Sequence, residues 1–499
     1  MSARLRILAA VLAGLVLASP RARAQEPTPG ERLPVREHTL ANGMRLLVLY
    51  RPGAPTVSFV VEYGVGGVHE HLGTTGTAHL LEHLFFKGTR TVGTRNAAAE
   101  QVLFARMDVA HDTLVRARAR ADWAEVHRLN VRIATLEDSA RSYVEANEYD
   151  RILTKAGARG LNATTTNDAT TYFVELPSNR AELWFVLEGD RMANPVFREF
   201  YTERDVVMEE RRMRVETSPE GLLYEAHLAA AYNVHPYGVP VVGTMSDLEN
   251  LSRRDVADYY RRFYGARNAV VCVVGNVDPD RIVAWAEKYL EAVPAGEEPP
   301  PVLAREPVQR GERRVEVVWD AEPSLRIGWH VPDALHDDAP ALAILANLLT
   351  GGRTSRLHRR LVIDDRIATS VTSSMGPGER YPQLFQIDAS PLAPHTAAEV
   401  EAVVYAELGR LAVEGPSVQE LERVRNQIAA GNVRRLQSNL GLAFQLVESA
   451  SLYGDWRETF RMSERLRSVT PEDVKRVVAR YFTKENRTVA TLVRAEAEP

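Results

Sequence analysis

The sequence predicts an α+β protein made of two homologous α/β halves joined by a linker, with a helical-hairpin insertion in the first half. The first observation behind this is a repeated block. Leu251-Ser252-Arg253-Arg254-Asp255-Val256 precedes Phe263-Tyr264 and Asn268, and Val469-Thr470-Pro471-Glu472-Asp473-Val474 precedes Tyr481-Phe482 and Asn486. Each pair is separated by the same 218 residues. Both copies open on Ser or Thr as a helix N-cap with acid in the first turn. Both then run into a β-branched strand, Ala269 to Val274 and Thr488 to Val493. A constant offset with matched caps, aromatics and strands marks a duplication. The second observation is the Pro-rich stretch at 292–311, which reads as a solvated linker stiffened by proline. The third is a segment of about 100–153 dominated by Arg, Ala, Glu and Asp, with Leu129, Ile133 and Leu136 at helical spacing. It reads as a charged helical hairpin carried on the surface. The expected division is a signal peptide at 1–24, a first half at 35–291, the linker at 292–311 and a second half at 312–497.

Length and composition bound the function. A chain of 499 residues exceeds what one hydrophobic core usually serves. Hydrophobic residues at 45% and charged residues at 25% are ordinary for a globular protein. The net charge of -5 gives no basis for a nucleic-acid partner, which needs a concentrated basic face. At the N-terminus, Arg4 and Arg6 precede an apolar run from Ile7 to Leu17, too short to span a bilayer. Ala22-Arg23-Ala24 then offers the small residues read by a signal peptidase, so cleavage after Ala24 and a periplasmic or secreted location are expected. No later stretch approaches 18 uninterrupted apolar residues, and no membrane span is expected in the mature chain. The single cysteine, Cys272, lies in the apolar run Ala269 to Val274, which excludes an intrachain disulfide and argues against a reactive thiol.

Within the first half, two β-rich runs flank Asn42-Gly43 and read as a hairpin. Val57 to Tyr63 is a further strand, Gly64-Val65-Gly66-Gly67 breaks it, and a helix starts near Thr75. That helix carries His79-Leu80-Leu81-Glu82-His83. Residues four apart share a helix face, so His79 and His83 can present two imidazoles to one metal ion, with Glu82 beside them to take a proton from water. The flanking Leu80, Leu81, Leu84, Phe85 and Phe86 predict a largely buried helix, and two buried histidines next to a glutamate need a partner such as a metal. Further on, Phe200 to Arg211 reads as a helix on which Glu203 and Glu210, seven apart, share a face, with Glu209 and Arg211 to Arg214 mostly pointing elsewhere. By themselves these acids read equally well as solvated surface groups.

These stretches together resemble the M16 metallopeptidases. The matching segments are His79 to His83 with Leu84-Phe85-Phe86-Lys87-Gly88-Thr89, Gly160-Leu161-Asn162-Ala163-Thr164 through Asp168 to Tyr172, Glu203 with Val206 to Glu210, and His235-Pro236-Tyr237-Gly238. The resemblance runs from about residue 36 to 495, apart from the insertion. It implies one Zn²⁺ per chain held by His79, His83 and Glu210, Glu82 as general base, and Glu203 as a carboxylate orienting the ligands. It also implies that Asn162 and Ala163 contact the backbone of an extended peptide substrate. Leu349 to Leu361 matches the family's second half, but members that complete the site from there place Arg and Tyr where this chain has Val362 and Thr369. The resemblance therefore implies a zinc endopeptidase subunit completed by an M16-like partner, as a heterodimer or a homodimer. The alternative is a non-catalytic scaffold or peptide-binding subunit of the same fold.

Overall fold

The computed structural model describes residues 33–494, and the expected signal peptide lies outside them. The first half runs β1 (Arg36–Thr39), β2 (Arg45–Tyr50), β3 (Thr56–Tyr63), α1 (Thr77–Phe85), α2 (Ala97–Ala119), α3 (Trp123–Arg141), α4 (Glu148–Lys155), β4 (Arg159–Thr165) and β5 (Thr170–Pro177). It continues through α5 (Ala181–Ala193), α6 (Phe200–Arg211), α7 (Pro219–Ala231), α8 (Met245–Asn250), α9 (Arg253–Phe263), β6 (Ala269–Gly275) and α10 (Pro279–Leu290). The second half comprises β7 (Arg313–Trp319), β8 (Ser324–Val331), α11 (Ala339–Thr350), β9 (Ala368–Gly376), β10 (Gln383–Pro391) and α12 (Ala397–Glu414). It ends with α13 (Val418–Gln437), α14 (Asn439–Tyr453), α15 (Glu458–Ser468), α16 (Pro471–Tyr481) and β11 (Arg487–Arg494).

Two sheets organise these elements, ordered β1-β2-β6-β3-β5-β4 and β7-β11-β8-β10-β9. Beyond the extra strand β1, the pairings repeat step for step. One parallel pair, β2 with β6 or β7 with β11, is followed by three antiparallel pairs. α9 and α16, the helices of the repeated sequence block, each start on a reciprocal cap, Ser252 with Asp255 and Thr470 with Asp473. Such caps satisfy the free N–H groups of the first turn. Identical topology with identical caps is what a duplicated unit leaves behind. The hairpin around Asn42-Gly43 also forms: Thr39 pairs with Arg45, and Gly43 takes the left-handed φ of 90° that the turn requires. Cys272 is fully buried in β6, and burial pushes its thiol pKa up, away from reactivity.

The halves exchange helices. α14 of the second half lies on β3 and β6 of the first sheet, and α7 of the first half lies on β7, β8 and β11 of the second. Phe444 of α14 meets Phe173 edge-on with ring centroids 5.0 Å apart. Arg45 donates to the carbonyls of Ala450 and Gly454, each at 3.0 Å. On the other side Leu223 of α7 is buried with Ala490 and Leu492 of β11. Gly328 lets α7 approach β8, because a Cβ there would sit 2.6 Å from the His227 ring. Each sheet thus completes its core only with a helix from the other half.

One expectation gains detail and one needs correction. The linker at 292–311 forms no helix or strand and is mostly exposed, and it is also pinned at several points. The carbonyls of Pro294 and Ala295 accept the amides of Ala266 and Arg267 at 2.9 and 3.0 Å. The Glu306 carboxylate takes the amides of Asn233 and Val234 at 2.9 Å. Likewise the charged hairpin, α2 and α3, is no mere surface appendage. Phe104, Met107, Ala110 and Leu114 of α2, with Leu129 and Ile133 of α3, belong to the buried core of the first half. Their helical spacing puts all of them on inner faces, so only the outer faces of the hairpin are solvated.

Gly328→Ala is expected to destabilise the chain by about 1–3 kcal/mol through overpacking against His227. Thermal unfolding checks this, and the penalty should shrink in a His227→Ala background, which removes the ring that a new methyl would meet.

Candidate metal centre

α1 is held in place before any ligand is considered. Its apolar residues Leu80, Leu81, Leu84 and Phe85 are buried, which fixes the helix rotation and aims His79, Glu82 and His83 at one cleft. The preceding turn uses Gly76 at a φ of 88°. The carboxylate of Glu70 accepts the amides of Gly76 at 2.8 Å and Ala78 at 2.6 Å, satisfying N–H groups that a helix start leaves free. Burial pushes the Glu70 pKa up to about 8, against the pull of those two amides and with a smaller push from Asp247.

α6 supplies the acids. Its entry is fixed by the fully buried Arg198, which donates to Glu100 of α2 at 2.8 and 2.9 Å and to the carbonyls of Lys87 and Thr89 at 2.6 and 2.9 Å. One guanidinium thus ties the exit of α1 to the start of α6. At the far end Arg211 donates to the Gly243 carbonyl at 2.6 Å and to Glu225 at 2.9 and 3.1 Å. A π-helical turn, Arg212–Glu216, follows directly.

The helices bring three donors together. Nε2 of His79 and Nε2 of His83 lie 3.7 and 3.6 Å from the same Oε2 of Glu210. All three ligand atoms fall within 4.8 Å of one another, and theirs is the one such group found among the described residues. A tetrahedral zinc with bonds of about 2.1 Å spaces its ligands by about 3.4 Å, so this set fits the ion with a small contraction. His79 Nδ1 is buried with no partner, and burial, then the charges of His83 and Arg214, press the His79 pKa down to about 3. A neutral imidazole is the form that binds metal.

Around the triad, Glu203 Oε2 lies 3.4 Å from Nδ1 of His83, and Glu203 Oε1 takes a 2.6 Å ion pair from Lys87. Burial works to raise its pKa, but the hydrogen bonds from His83 and Lys87 outweigh it and hold the carboxyl low. Glu82 accepts a 2.5 Å hydrogen bond from Thr165 Oγ1 of β4. Burial pushes its pKa up while that hydrogen bond and His83 pull it back. Asn162 and Ala163 sit on β4, the end strand of its sheet, with one edge unpaired. They line an open cleft with the triad, Glu82, Thr165 and Arg214.

All seven site residues read from the sequence therefore border one cleft or support it. Several others were missed. Arg214 was expected to point away, yet it pairs with Glu210 Oε1 at 2.7 Å. The i,i+4 spacing was the available signal. Lys87 stands four residues after His83 and was legible in the same way. Glu70, Glu100 and Arg198 act across loops and between helices, so no local pattern announces them. In the second half, Val362 packs against the core and Thr369 lies exposed on β9, donating to the Ser390 carbonyl at 3.2 Å.

Fold and cleft define a class: duplicated α/β chains with a helix-borne histidine pair, a distal glutamate and a free strand edge. Comparison with known proteins makes the class specific. The family model for insulinase, peptidase family M16, matches residues 45–103 and 138–245, and that for the peptidase M16 inactive domain matches 250–428. The zinc protease PqqE of Helicobacter pylori is 28% identical over 414 residues, 81% of each chain. A crystallised protease from Helicobacter pylori has a TM-score of 0.78 at 25% identity, covering 92% of this chain and 99% of that one. The periplasmic protease PqqL from Escherichia coli shares the fold, with a TM-score of 0.68 at 17% identity over 93% of this chain but 48% of its own. The chain belongs to the M16 peptidase family. The first family model leaves out residues 104–137, most of the helical hairpin.

The raised Glu70 pKa has a defined consequence. Its carboxyl holds a proton more tightly folded than unfolded, so its contribution is full below about pH 4.5 and is lost as pH rises toward about 8. The melting temperature should fall across that window, and Glu70→Gln should flatten the fall. Thermal melts of both proteins from pH 5 to 8.5 check it.

Proposed function

We propose that this chain is the metal-bearing subunit of a zinc endopeptidase that cleaves extended peptides. The observation carrying the proposal is the convergence of His79, His83 and Glu210 beside Glu82 and the free edge of β4. A peptide laid along that edge would pair backbone to backbone, with Asn162 and Ala163 at the contact, so extension is recognised more than side-chain identity. When bound, zinc supplies a Lewis acid that polarises a carbonyl and acidifies water. Glu82, beside the triad in the same cleft, would take a proton from an attacking water and pass it to the leaving amine. Glu203 fixes the His83 ring through Nδ1, leaving Nε2 for the ion.

A partner completes the proposal. Val362 and Thr369 occupy the positions where the family's Arg and Tyr would serve an oxyanion, and a second copy of this chain would lack them too, so a different M16-like subunit is the source of those groups, in a heterodimer. The Escherichia coli relative supports this reading, since the present chain spans about half of its length. Its periplasmic location also agrees with the export signal expected at 1–24. No helix among the described residues is long and apolar enough to cross a membrane.

Purified protein should hold one zinc per chain, and Glu210→Ala should lose it. Glu82→Gln should keep the metal while turnover drops at least about a hundredfold, the lower range for a general base. Metal analysis beside a chelator-sensitive peptide cleavage assay, run with and without an M16-like partner, checks both. Full activity from the chain alone would refute the partner requirement. Absence of zinc would favour the scaffold reading instead.

A further inference from the structure

α6 carries Glu203 and Glu210, yet its own sequence gives it no N-terminal cap. The residue at the cap position is Glu199, which adopts a left-handed φ of 55° and makes no side-chain capping bond. The missing acceptor comes from the inserted hairpin. Glu137 of α3 accepts the Thr202 amide at 3.0 Å and the Thr202 hydroxyl at 2.9 Å through one oxygen, Oε1. Arg141, one turn further along α3, reaches the same hydroxyl at 3.4 Å. Thr202 stands immediately before Glu203, and Glu210 follows two turns later on the same helix.

The hairpin is itself anchored. Arg253 of α9 holds Asp108, Arg254 pairs with Asp112 at 2.6 Å, and Arg118 reaches the Glu249 carbonyl and Asn250. These ties hold α2, and Leu129 and Ile133 of α3 are buried in the same core as Phe104 and Leu114 of α2, so Glu137 is carried on a packed helix and stands at the positive end of α6. Arg211 clamps the other end of the helix. Glu210, the ligand, and Glu203, which orients His83, lie between these clamps, so the angle at which Glu210 meets the imidazoles depends on both. Glu137 lies at the end of the stretch 104–137 that the family model does not match.

We propose that Glu137 of the inserted hairpin is a positioning residue for the metal site, holding α6 so that Glu210 and Glu203 face His79 and His83. This rests on the zinc reading above. The role separates two effects that an ordinary surface cap would not separate, the stability of the metal-free chain and its affinity for the ion.

The test is zinc affinity of the full chain, measured by competition with a chromophoric chelator. Glu137→Ala is expected to weaken affinity about tenfold, the low end for groups that orient metal ligands. Glu137→Gln keeps an oxygen acceptor and should recover most of the loss. Glu125→Ala, on the solvated side of the same helix, should leave affinity unchanged. Wild-type affinity in Glu137→Ala, even with a lowered melting temperature, would overturn the proposal and leave the zinc site standing. Wild-type protein that takes up no zinc would overturn both. Should Glu137→Ala fail to fold, Thr202→Val removes the hydroxyl half of the clamp. It should weaken affinity about threefold, and an unchanged value would overturn the proposal.

Discussion

The constraint on which the rest of the structure depends is the approach of a carboxylate to two imidazoles in a partly buried cleft. Glu210 brings its Oε2 within 3.7 Å of both rings although neither offers it a hydrogen bond at that distance. Nothing local favours this arrangement, because α6 also carries Glu203 and Glu209 and starts from Glu199. The surroundings compensate with cations and rigid anchors. Lys87 faces Glu199 and Glu203, Arg214 faces Glu210, and Arg198 locks the entry of α6 to the exit of α1. A preformed set of donors costs folding stability in the absence of an ion and returns it on binding. Such a site is expected where function, not folding, selected the residues.

The duplication sharpens that point. In the first half the helix that follows β3 is α1, with two histidines and a glutamate on its cleft face. In the second half the corresponding helix after β8 is α11, whose Leu342, Ile344, Leu345, Leu348 and Leu349 are all buried and which carries no His, Asp or Glu. The two sheets kept one pattern of pairings while one of the two equivalent helices has no metal-ligating side chain. Exchange of α7 and α14 explains how the second half persists without chemistry of its own. It supplies the inner layer of the first sheet, so the scaffold that aims α1 needs it.

Most of the fold was legible in the sequence because its signals are local. Caps at Ser252 and Thr470, the β-branched runs at β6 and β11, and the Asn42-Gly43 turn all act within a few residues. The histidine pair was legible for a different reason: i,i+4 spacing fixes His79 and His83 on one face before tertiary structure is known, whereas Glu210, on a distant helix, was singled out only by the family resemblance. What escaped were contacts that arise only when distant segments meet. Arg198 bridges three segments, Glu137 of α3 reaches the start of α6, and the helix exchange has no sequence signature at all. The hairpin was misjudged because its charge was easier to see than its buried stripe of Phe104, Met107 and Leu114. Arg214 is the instructive miss, since its spacing from Glu210 was visible but a π-helical turn lay between expectation and outcome.

A free strand edge is ordinarily a hazard, because unpaired N–H and C=O groups invite association with any extended chain. β4 keeps its edge open, blunted only by the irregularity between Arg159 and Asn162 where pairing with β5 slips. The edge is tolerable because it borders a cleft and not an outer face. Thr165 closes the argument from the other side. Its hydroxyl holds Glu82, so the strand that would receive a peptide also orients the carboxylate that would act on it. Binding and proton transfer are thereby tied to one element, and a peptide displaced along β4 would be displaced from Glu82 by the same amount.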